Sequence, residues 1–183
     1  MTRLPTIDPA TATGAAGELL ARTHQTLGLT PNMTKVMANS PALLKGYLDL
    51  NAALAGGRLD AGVRERIAVT VAEHNGCAYC LSAHTYIGEH IAKVPAEEME
   101  QARAARSNEP HTQAVLALAD AILRTRGDVD DETLQAARAA GVTDAEIAET
   151  VGNVAINVLT NYFNNLTQVD IDWPVVAPLR RAA

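Results

Sequence analysis

The sequence predicts an all-α protein that forms one helical domain over residues 1–183. Apolar residues make up 48% of the chain but aromatic residues only 3%, a composition that favours close-packed helices over a β-sandwich. Apolar side chains recur at helical spacing along several segments, and capping residues stand where these segments begin. No segment shows the alternation of polar and apolar residues that is typical of a strand.

Turn signals divide the first half of the chain into an extended lead-in over residues 1–13 and five helices. The predicted helices cover about 14–27, 31–39, 41–55, Asp60 to the turn at 74–76, and about 77–91. Thr30-Pro31 and Ser40-Pro41 each place a capping hydroxyl before a proline at the first helical position. The two helices on either side of the turn at 74–76 form a predicted hairpin at the centre of the bundle.

Four more helices are predicted in the second half, at about 95–103, from 108 onward, 130–141 and 144–166. The last begins with a capping box, since Thr143 is followed three residues later by Glu146. The core face of this helix is predicted to consist of its apolar side chains, which are Ile147, Val151, Val154, Val158, Tyr162 and Phe163.

Two features near the C-terminus suggest further packing. Asn153, Asn157 and Asn161 recur every four residues, and because asparagine is a poor helix former, we expect a polar seam against another helix of the subunit or of an oligomer. A solvated helix face is the alternative. The apolar residues of the tail are predicted to be hidden against a neighbouring subunit; they are Ile171, Trp173, Val175 and Val176.

The charge and hydropathy of the chain exclude several functional classes. The formal net charge is −6, which argues against nucleic acid as a partner, because phosphates attract cationic surfaces. No window of about 18 apolar residues predicts a membrane span, and the first residues lack the apolar stretch of a signal peptide. We therefore expect a soluble, cytoplasmic protein with no nucleic-acid or membrane partner. In that reducing compartment, two close cysteines suggest redox or metal chemistry.

Both cysteines lie at the start of the second hairpin helix, in the segment Cys77-Ala-Tyr-Cys80. With His84 they follow the spacing i, i+3, i+7, which places the three side chains on one helical face. Glu65 lies on the preceding helix. A rise of about 1.5 Å per residue brings Glu65 nearly level with His84 if the two helices fold back on each other.

These residue types at this spacing support a two-cysteine redox cycle without a cofactor or metal. Backbone N–H groups at a helix start stabilise a thiolate and lower the pKa of the thiol. His84 lies one turn from Cys80 and can accept its proton, while Glu65 can orient the imidazole. A thiolate activated in this way attacks a peroxide oxygen to give a sulfenic acid, and a second cysteine one turn away condenses with it to a disulfide.

This set of residues resembles the AhpD-like group of the carboxymuconolactone decarboxylase superfamily, and segments 28–33, 59–65 and 157–165 extend the resemblance over nearly the whole chain. It implies an AhpD-like helical bundle, a homo-oligomer, and alkylhydroperoxide reductase activity in antioxidant defence. It also implies that Cys80 is oxidised to the sulfenic acid and that Cys77 is the proton donor and resolving thiol. Glu65 and His84 complete the implied proton relay.

The resemblance further implies a small organic hydroperoxide or hydrogen peroxide as substrate and a lipoyl-bearing or thioredoxin-like protein as dithiol reductant. The best-studied branch has a histidine between the cysteines, where this chain has Tyr79. A phenol with a pKa near 10 cannot replace a titrating imidazole at pH 7. It can donate a hydrogen bond to a sulfur or a peroxide oxygen, so Tyr79 is a candidate substrate-site residue.

Three other interpretations of the cysteine segment stay open. A carboxymuconolactone decarboxylase-type lyase on the same fold would not depend on thiols, and such enzymes generally lack the paired cysteines. A non-catalytic thiol or zinc-binding module is the second. A structural zinc site would need four protein ligands, so His84 and either His74 or Glu65 would have to join the two cysteines. Two inert buried cysteines would pack as small apolar side chains.

Overall fold

The computed structural model describes residues 2–179, in which it contains nine α-helices and no strand. The helices are α1 (Gly14–Leu27), α2 (Asn32–Met37), α3 (Pro41–Ala55), α4 (Ala61–His74), α5 (Ala78–His90), α6 (Ala96–Ala102), α7 (Pro110–Thr125), α8 (Asp131–Ala139) and α9 (Asp144–Thr167). The predicted all-α fold is confirmed. A single domain over 1–183 stays a prediction, since residues 1 and 180–183 lie outside the described part.

Helix α4 lies at the centre of the bundle, where it packs against α5, α6, α7 and α9. Every residue from Ile67 to Ala72 is buried, which is the pattern of a helix enclosed on all sides. Asp60 caps this helix by accepting a hydrogen bond from the Val63 N–H at 2.9 Å. Together α4 and α5 form the predicted central hairpin. None of the helices within residues 2–179 is long and apolar enough to cross a membrane.

Most of the predicted helix starts are confirmed by capping bonds. Ser40 Oγ accepts a hydrogen bond from Leu43 N at 3.3 Å, and the predicted capping box opens α9. The prediction for α2 is wrong in one detail, because Pro31 occupies the N-cap position that was expected for Thr30. Pro31 has an extended ψ of 147°, so the helical backbone begins one residue later than predicted.

The prediction for the core face of α9 is wrong for two of its apolar residues. Val151 is 50% exposed and Tyr162 is 62% exposed, whereas Asn153, Asn157 and Asn161 are buried. The predicted polar seam is therefore confirmed, and it lies within the subunit. Burial of Asn153 and Asn157 is tolerated because their N–H groups bond within the helix: Asn153 Nδ2 donates to the Glu149 carbonyl oxygen and Asn157 Nδ2 to the Asn153 carbonyl oxygen, each at 2.8 Å.

The C-terminal tail folds back onto its own subunit. The ring of Trp173 packs edge-on against Tyr79, with 5.5 Å between the ring centroids, and Ile171 and Val176 also pack against the core. Of the four apolar residues predicted to be hidden, only Val175 is exposed, at 71%. The expectation that this tail is hidden against a neighbour is therefore wrong for three of its four apolar residues. Formation of a homo-oligomer stays a prediction.

Candidate active site

The turn between α4 and α5 brings the predicted site residues together. Gly76 has a φ of +61°, in the left-handed region that favours glycine, and this lets the chain reverse direction. Helix α5 then returns along α4, so that His84 Nδ1 lies 2.7 Å from Glu65 Oε2. The predicted level placement of Glu65 and His84 is confirmed.

Glu65 and His84 form a partly buried pair, with exposed side-chain fractions of 18% and 25%. Burial by itself lowers the pKa of His84. The charge and hydrogen bond of Glu65, together with the nearby Cys80 sulfur, outweigh burial and raise the pKa of His84 overall. The carboxylate therefore holds a proton on Nδ1 and leaves Nε2 available to exchange one with the cavity.

Cys80 lies one turn before His84 and is only 2% exposed. Burial by itself raises the pKa of Cys80. A hydrogen bond from the Cys77 thiol, the charge of His84 and two buried amides of α9 together lower it, and the net pKa of Cys80 is about 6. One of these amides is Asn164, whose Nδ2 donates to Cys80 Sγ at 3.2 Å. Cys80 is therefore mainly a thiolate at neutral pH.

Cys77 is fully buried and occupies the N-cap position of α5, where its Sγ accepts a hydrogen bond from the Cys80 N–H at 3.4 Å. The pKa of Cys77 is raised, because its thiol is hydrogen-bonded to Cys80 and because it is buried beside that sulfur. The backbone N–H groups of the helix start do lower the pKa of Cys77, as predicted, but these other causes outweigh them, whereas the pKa of Cys80 is lowered by side chains. The two free thiols differ chemically, because Cys80 is the more acidic and the Cys77 thiol donates it a hydrogen bond.

The hydroxyl of Tyr79 is held by the C-terminal tail. It donates to Asp172 Oδ2 at 2.6 Å and accepts from the Met33 N–H at 3.1 Å. Burial and the hydrogen bond to Asp172 raise the pKa of Tyr79. Its ring lines the cavity described next, but its hydroxyl proton is already engaged by a carboxylate.

A cavity of about 80 Å³ opens beside Cys80. Its wall includes Glu65, Cys80 and His84, whereas Cys77 lies behind Cys80 and outside the lining. The other polar side chains of the lining are Tyr47, Asn51, Arg64, Tyr79, Asn153, Asn157 and Thr160. A small cavity that presents a thiolate, an imidazole and several hydrogen-bonding groups is suited to a small polar substrate.

Sequence reasoning missed Tyr47, which reaches the cavity from α3. Asn51 Nδ2 donates to the Tyr47 hydroxyl oxygen at 3.3 Å. Burial is the main cause that raises the pKa of Tyr47 to about 12, so the phenol stays protonated at neutral pH and can donate a hydrogen bond. No motif marks this residue, because its position depends on how α3 packs against α9. The contact of Asn164 with Cys80 was also missed, although the asparagine repeat had indicated the correct helix.

The sequence of residues 41–121 matches the model of the carboxymuconolactone decarboxylase family. This segment contains the complete α4–α5 hairpin and with it Glu65, Cys77, Cys80 and His84. No curated protein matches the chain.

Several solved structures share the fold over most of their length. A structure described as an alkylhydroperoxidase AhpD core, a peroxidase-related protein from Ralstonia eutropha, is 23% identical, with a TM-score of 0.82 over 93% of this chain and 92% of that one. A peroxidase-related protein from a Silicibacter species is 22% identical, with a TM-score of 0.78 over 92% and 91%. The debrominase Bmp8 is 20% identical, with a TM-score of 0.71 over 86% of each chain. These similarities establish the AhpD-like helical fold.

Proposed function

We propose that this chain is a member of the carboxymuconolactone decarboxylase family and a thiol-dependent peroxidase of the alkylhydroperoxide reductase type. Its substrate is a small organic hydroperoxide or hydrogen peroxide, and a dithiol protein reduces it. The observation that supports this function best is the difference between the two thiols. Cys80 lines the cavity and has a pKa of about 6, whereas Cys77 lies behind it with a raised pKa.

In the first step of the proposed reaction, the Cys80 thiolate attacks the terminal oxygen of the hydroperoxide. An S–O bond forms and the O–O bond breaks, which gives the Cys80 sulfenic acid and an alkoxide or hydroxide. Nε2 of the His84 imidazolium gives a proton to this leaving group. Glu65 stabilises the imidazolium before the transfer, since its carboxylate accepts the Nδ1 hydrogen bond at 2.7 Å.

In the second step, the Cys77 thiol condenses with the sulfenic acid. The Cys77–Cys80 disulfide forms, the S–O bond breaks, and the hydroxyl leaves as water with the Cys77 proton. A dithiol protein then supplies two electrons by thiol–disulfide exchange and becomes a disulfide itself. A lipoyl-bearing or thioredoxin-like protein has the chemistry that this step needs.

A single-turnover experiment tests the assignment of the two cysteines. Reduced protein is mixed with one equivalent of cumene hydroperoxide, treated with dimedone to trap sulfenic acid, and analysed by peptide mass spectrometry. The wild-type protein is expected to give a Cys77–Cys80 disulfide. Cys77→Ser is expected to give a dimedone adduct on Cys80, because no resolving thiol remains, and Cys80→Ser is expected to consume no peroxide.

Two outcomes would contradict the proposed function. The first is hydroperoxide consumption at the wild-type rate by the variant that carries both Cys77→Ser and Cys80→Ser. The second comes from a parallel assay with 2,3,4-tribromopyrrole, the compound bound to a variant of Bmp8 in a solved structure. Faster thiol-dependent release of bromide than consumption of hydroperoxide would favour dehalogenation.

The alternatives from the sequence are tested with the same proteins. A lyase that does not depend on thiols would keep its activity in both cysteine variants. A zinc-binding module would contain stoichiometric zinc when purified without chelator. Within residues 2–179, no group of three or more His, Cys, Asp or Glu side chains is placed to hold a metal ion. That the protein uses no metal or cofactor stays a prediction.

A further inference from the structure

Two buried amides of α9, Asn161 and Asn164, approach the sulfur of Cys80 from outside the cavity lining; we refer to them as the asparagine pair. They are 0% and 3% exposed. Asn164 Nδ2 donates to Cys80 Sγ at 3.2 Å and to Met33 Sδ at 3.3 Å. Asn161 is oriented by Asn75, whose Nδ2 donates to Asn161 Oδ1 at 2.9 Å.

The asparagine pair contains two buried polar atoms, Asn161 Nδ2 and Asn164 Oδ1, that have no hydrogen-bond partner in residues 2–179. A buried polar group without a partner is destabilising and rare, so its presence beside a reactive sulfur needs a reason. Asn75 engages the oxygen of Asn161 and so directs its NH₂ group away. This NH₂ group makes no hydrogen bond, yet it helps to lower the pKa of Cys80.

We propose that the asparagine pair is a positioning device that favours the reduced, anionic state of Cys80 and thereby makes the Cys77–Cys80 disulfide a stronger oxidant. The redox part rests on the proposed function, whereas the effect on the thiolate does not. Reduction of the disulfide takes two electrons and, at pH 7, one proton, and it gives the Cys77 thiol and the Cys80 thiolate. N–H donors stabilise an anionic sulfur more strongly than a neutral disulfide sulfur, so the pair shifts the equilibrium towards the reduced form.

The surroundings of Cys80 explain why uncharged amides suit this role. The titratable groups near it are Cys77, Tyr79 and His84 on α5, Glu65 on α4 and Tyr47 on α3. From α9, Cys80 is approached by the asparagine pair and by Thr160, whose Oγ1 lies 4.0 Å from its Sγ. The pair therefore stabilises the thiolate without adding a group that titrates with it.

The test is the pH dependence of Cys80 alkylation in Asn164→Ala, measured without peroxide. Reduced protein reacts with iodoacetamide at several pH values, and peptide mass spectrometry quantifies the modification of Cys80. The wild-type midpoint is expected near pH 6. Loss of the N–H donor is expected to raise this midpoint by about one unit, which is about a tenfold weaker acid. Asn161→Ala is expected to shift it in the same direction by less.

The redox consequence is measured by equilibration with dithiothreitol at pH 7. If the midpoint rises from about 6 to about 7, the equilibrium constant for reduction of the disulfide in Asn164→Ala falls about fivefold. Its reduction potential is then lower than that of the wild type by about 20 mV. Asn165→Ala is the matched control, because it removes the neighbouring amide of α9. The Nδ2 of Asn165 donates to the Asn75 carbonyl oxygen at 3.0 Å, whereas that of Asn164 donates to the Cys80 sulfur. Its midpoint and potential are expected to equal those of the wild type.

Asn164→Asp keeps the shape of the side chain and serves if the alanine variant does not fold. It places a carboxylate beside the thiolate, so its midpoint is expected to rise further. Unchanged midpoints in the Asn164 variants would overturn the proposal, as would an equal shift in Asn165→Ala. A raised midpoint in Asn164→Ala, combined with no disulfide in wild-type protein treated with cumene hydroperoxide, would support the effect on the thiolate while contradicting the peroxidase function.

Discussion

Two polar clusters lie on opposite sides of α4 and differ in how completely their polar groups are paired. Each contains one of two adjacent residues of this helix, Glu65 and Arg66. Arg66, only 4% exposed, donates to Glu98 at 3.0 Å and to Glu109 at 2.9 Å, which connects α4 with α6 and the start of α7. Glu98 also accepts a hydrogen bond from Asn108 N at 2.9 Å. Glu65 precedes Arg66 in the chain but points to the cavity side, where it meets His84.

The clusters differ in how completely their polar groups are paired. We call the first group, Arg66 with Glu98 and Glu109, the Arg66 cluster, and the second, Glu65, Cys80 and His84 with the asparagine pair, the Cys80 cluster. Within residues 2–179, no buried side-chain nitrogen or oxygen of the Arg66 cluster lacks a partner, whereas the Cys80 cluster contains two such atoms, both in the asparagine pair. A buried network with every member satisfied makes a fold more rigid and more specific. Unsatisfied buried groups, together with a strongly shifted thiol pKa, are typical of functional sites. We infer that the Arg66 cluster maintains the fold and that the Cys80 cluster performs the chemistry.

The largest expected effect comes from Arg66→Met. Glu98 is buried and would lose its cationic partner, so the free energy of unfolding is expected to fall by about 3–5 kcal/mol. Urea denaturation followed by circular dichroism measures this change. Arg124→Met is the control, because Arg124 is 63% exposed in its pair with Asp120 and its removal should change stability by less than about 1 kcal/mol.

The pH dependence of the Arg66→Met effect sharpens this test. Burial by itself raises the pKa of Glu98, but hydrogen bonds from Ser107 and Asn108 and the charge of Arg66 lower it overall, below its ordinary value of 4.5. This carboxylate therefore adds stability above pH 4.5 that is lost as the pH falls through its lowered pKa. The difference between wild type and variant should shrink at that low pH. A shift of the Cys80 alkylation midpoint in Arg66→Met would show that the clusters are not independent.

The next largest effect is expected for His84→Gln on the cavity side. The proton for the leaving group is lost, so kcat/KM for hydroperoxide should fall by roughly 10²-fold or more. The Cys80 alkylation midpoint should rise, because the charge of His84 helps to lower the pKa of that thiol. His90→Gln is the control, since His90 lies on the same helix and contacts the Tyr86 carbonyl oxygen at 3.1 Å. Unchanged turnover in His84→Gln would remove His84 from the mechanism.

The smallest effect is expected for Tyr79→Phe, at the border between the Cys80 cluster and the C-terminal tail. Asp172 loses the donor at 2.6 Å, so stability should fall by about 1–2 kcal/mol. Turnover should change less than about threefold, because Asp172 already engages the hydroxyl proton. Tyr86→Phe serves as control, since Tyr86 is exposed and stacks on His90. Turnover that falls as far as in His84→Gln would show instead that the Tyr79 hydroxyl takes part in the chemistry.

Local sequence signals predicted the helices well, because caps, prolines and glycines act within one or two turns. Ser40 and Asp60 cap helices as expected, and Gly76 makes the turn that brings Glu65 to His84. The face that α9 buries was harder to predict. Hydropathy assigned Val151 to the core, yet Val151 is half exposed and the buried face of α9 contains Asn153 and Asn157 instead. Hydrogen bonds within the helix remove most of the free-energy cost of burying these two amides.

What the sequence by itself determined is the all-α fold, the central hairpin and the meeting of Glu65 with His84, since helical rise and periodicity follow from local geometry. The tertiary structure alone decided how far the two thiols differ in acidity. Both lie at one helix start, and the sequence favoured Cys80 only through its spacing to His84 and through the family resemblance. Packing of α9 places Asn164 against Cys80 and leaves Cys77 buried behind it, so that the electrostatic environment of the Cys80 sulfur depends on residues more than 80 positions away.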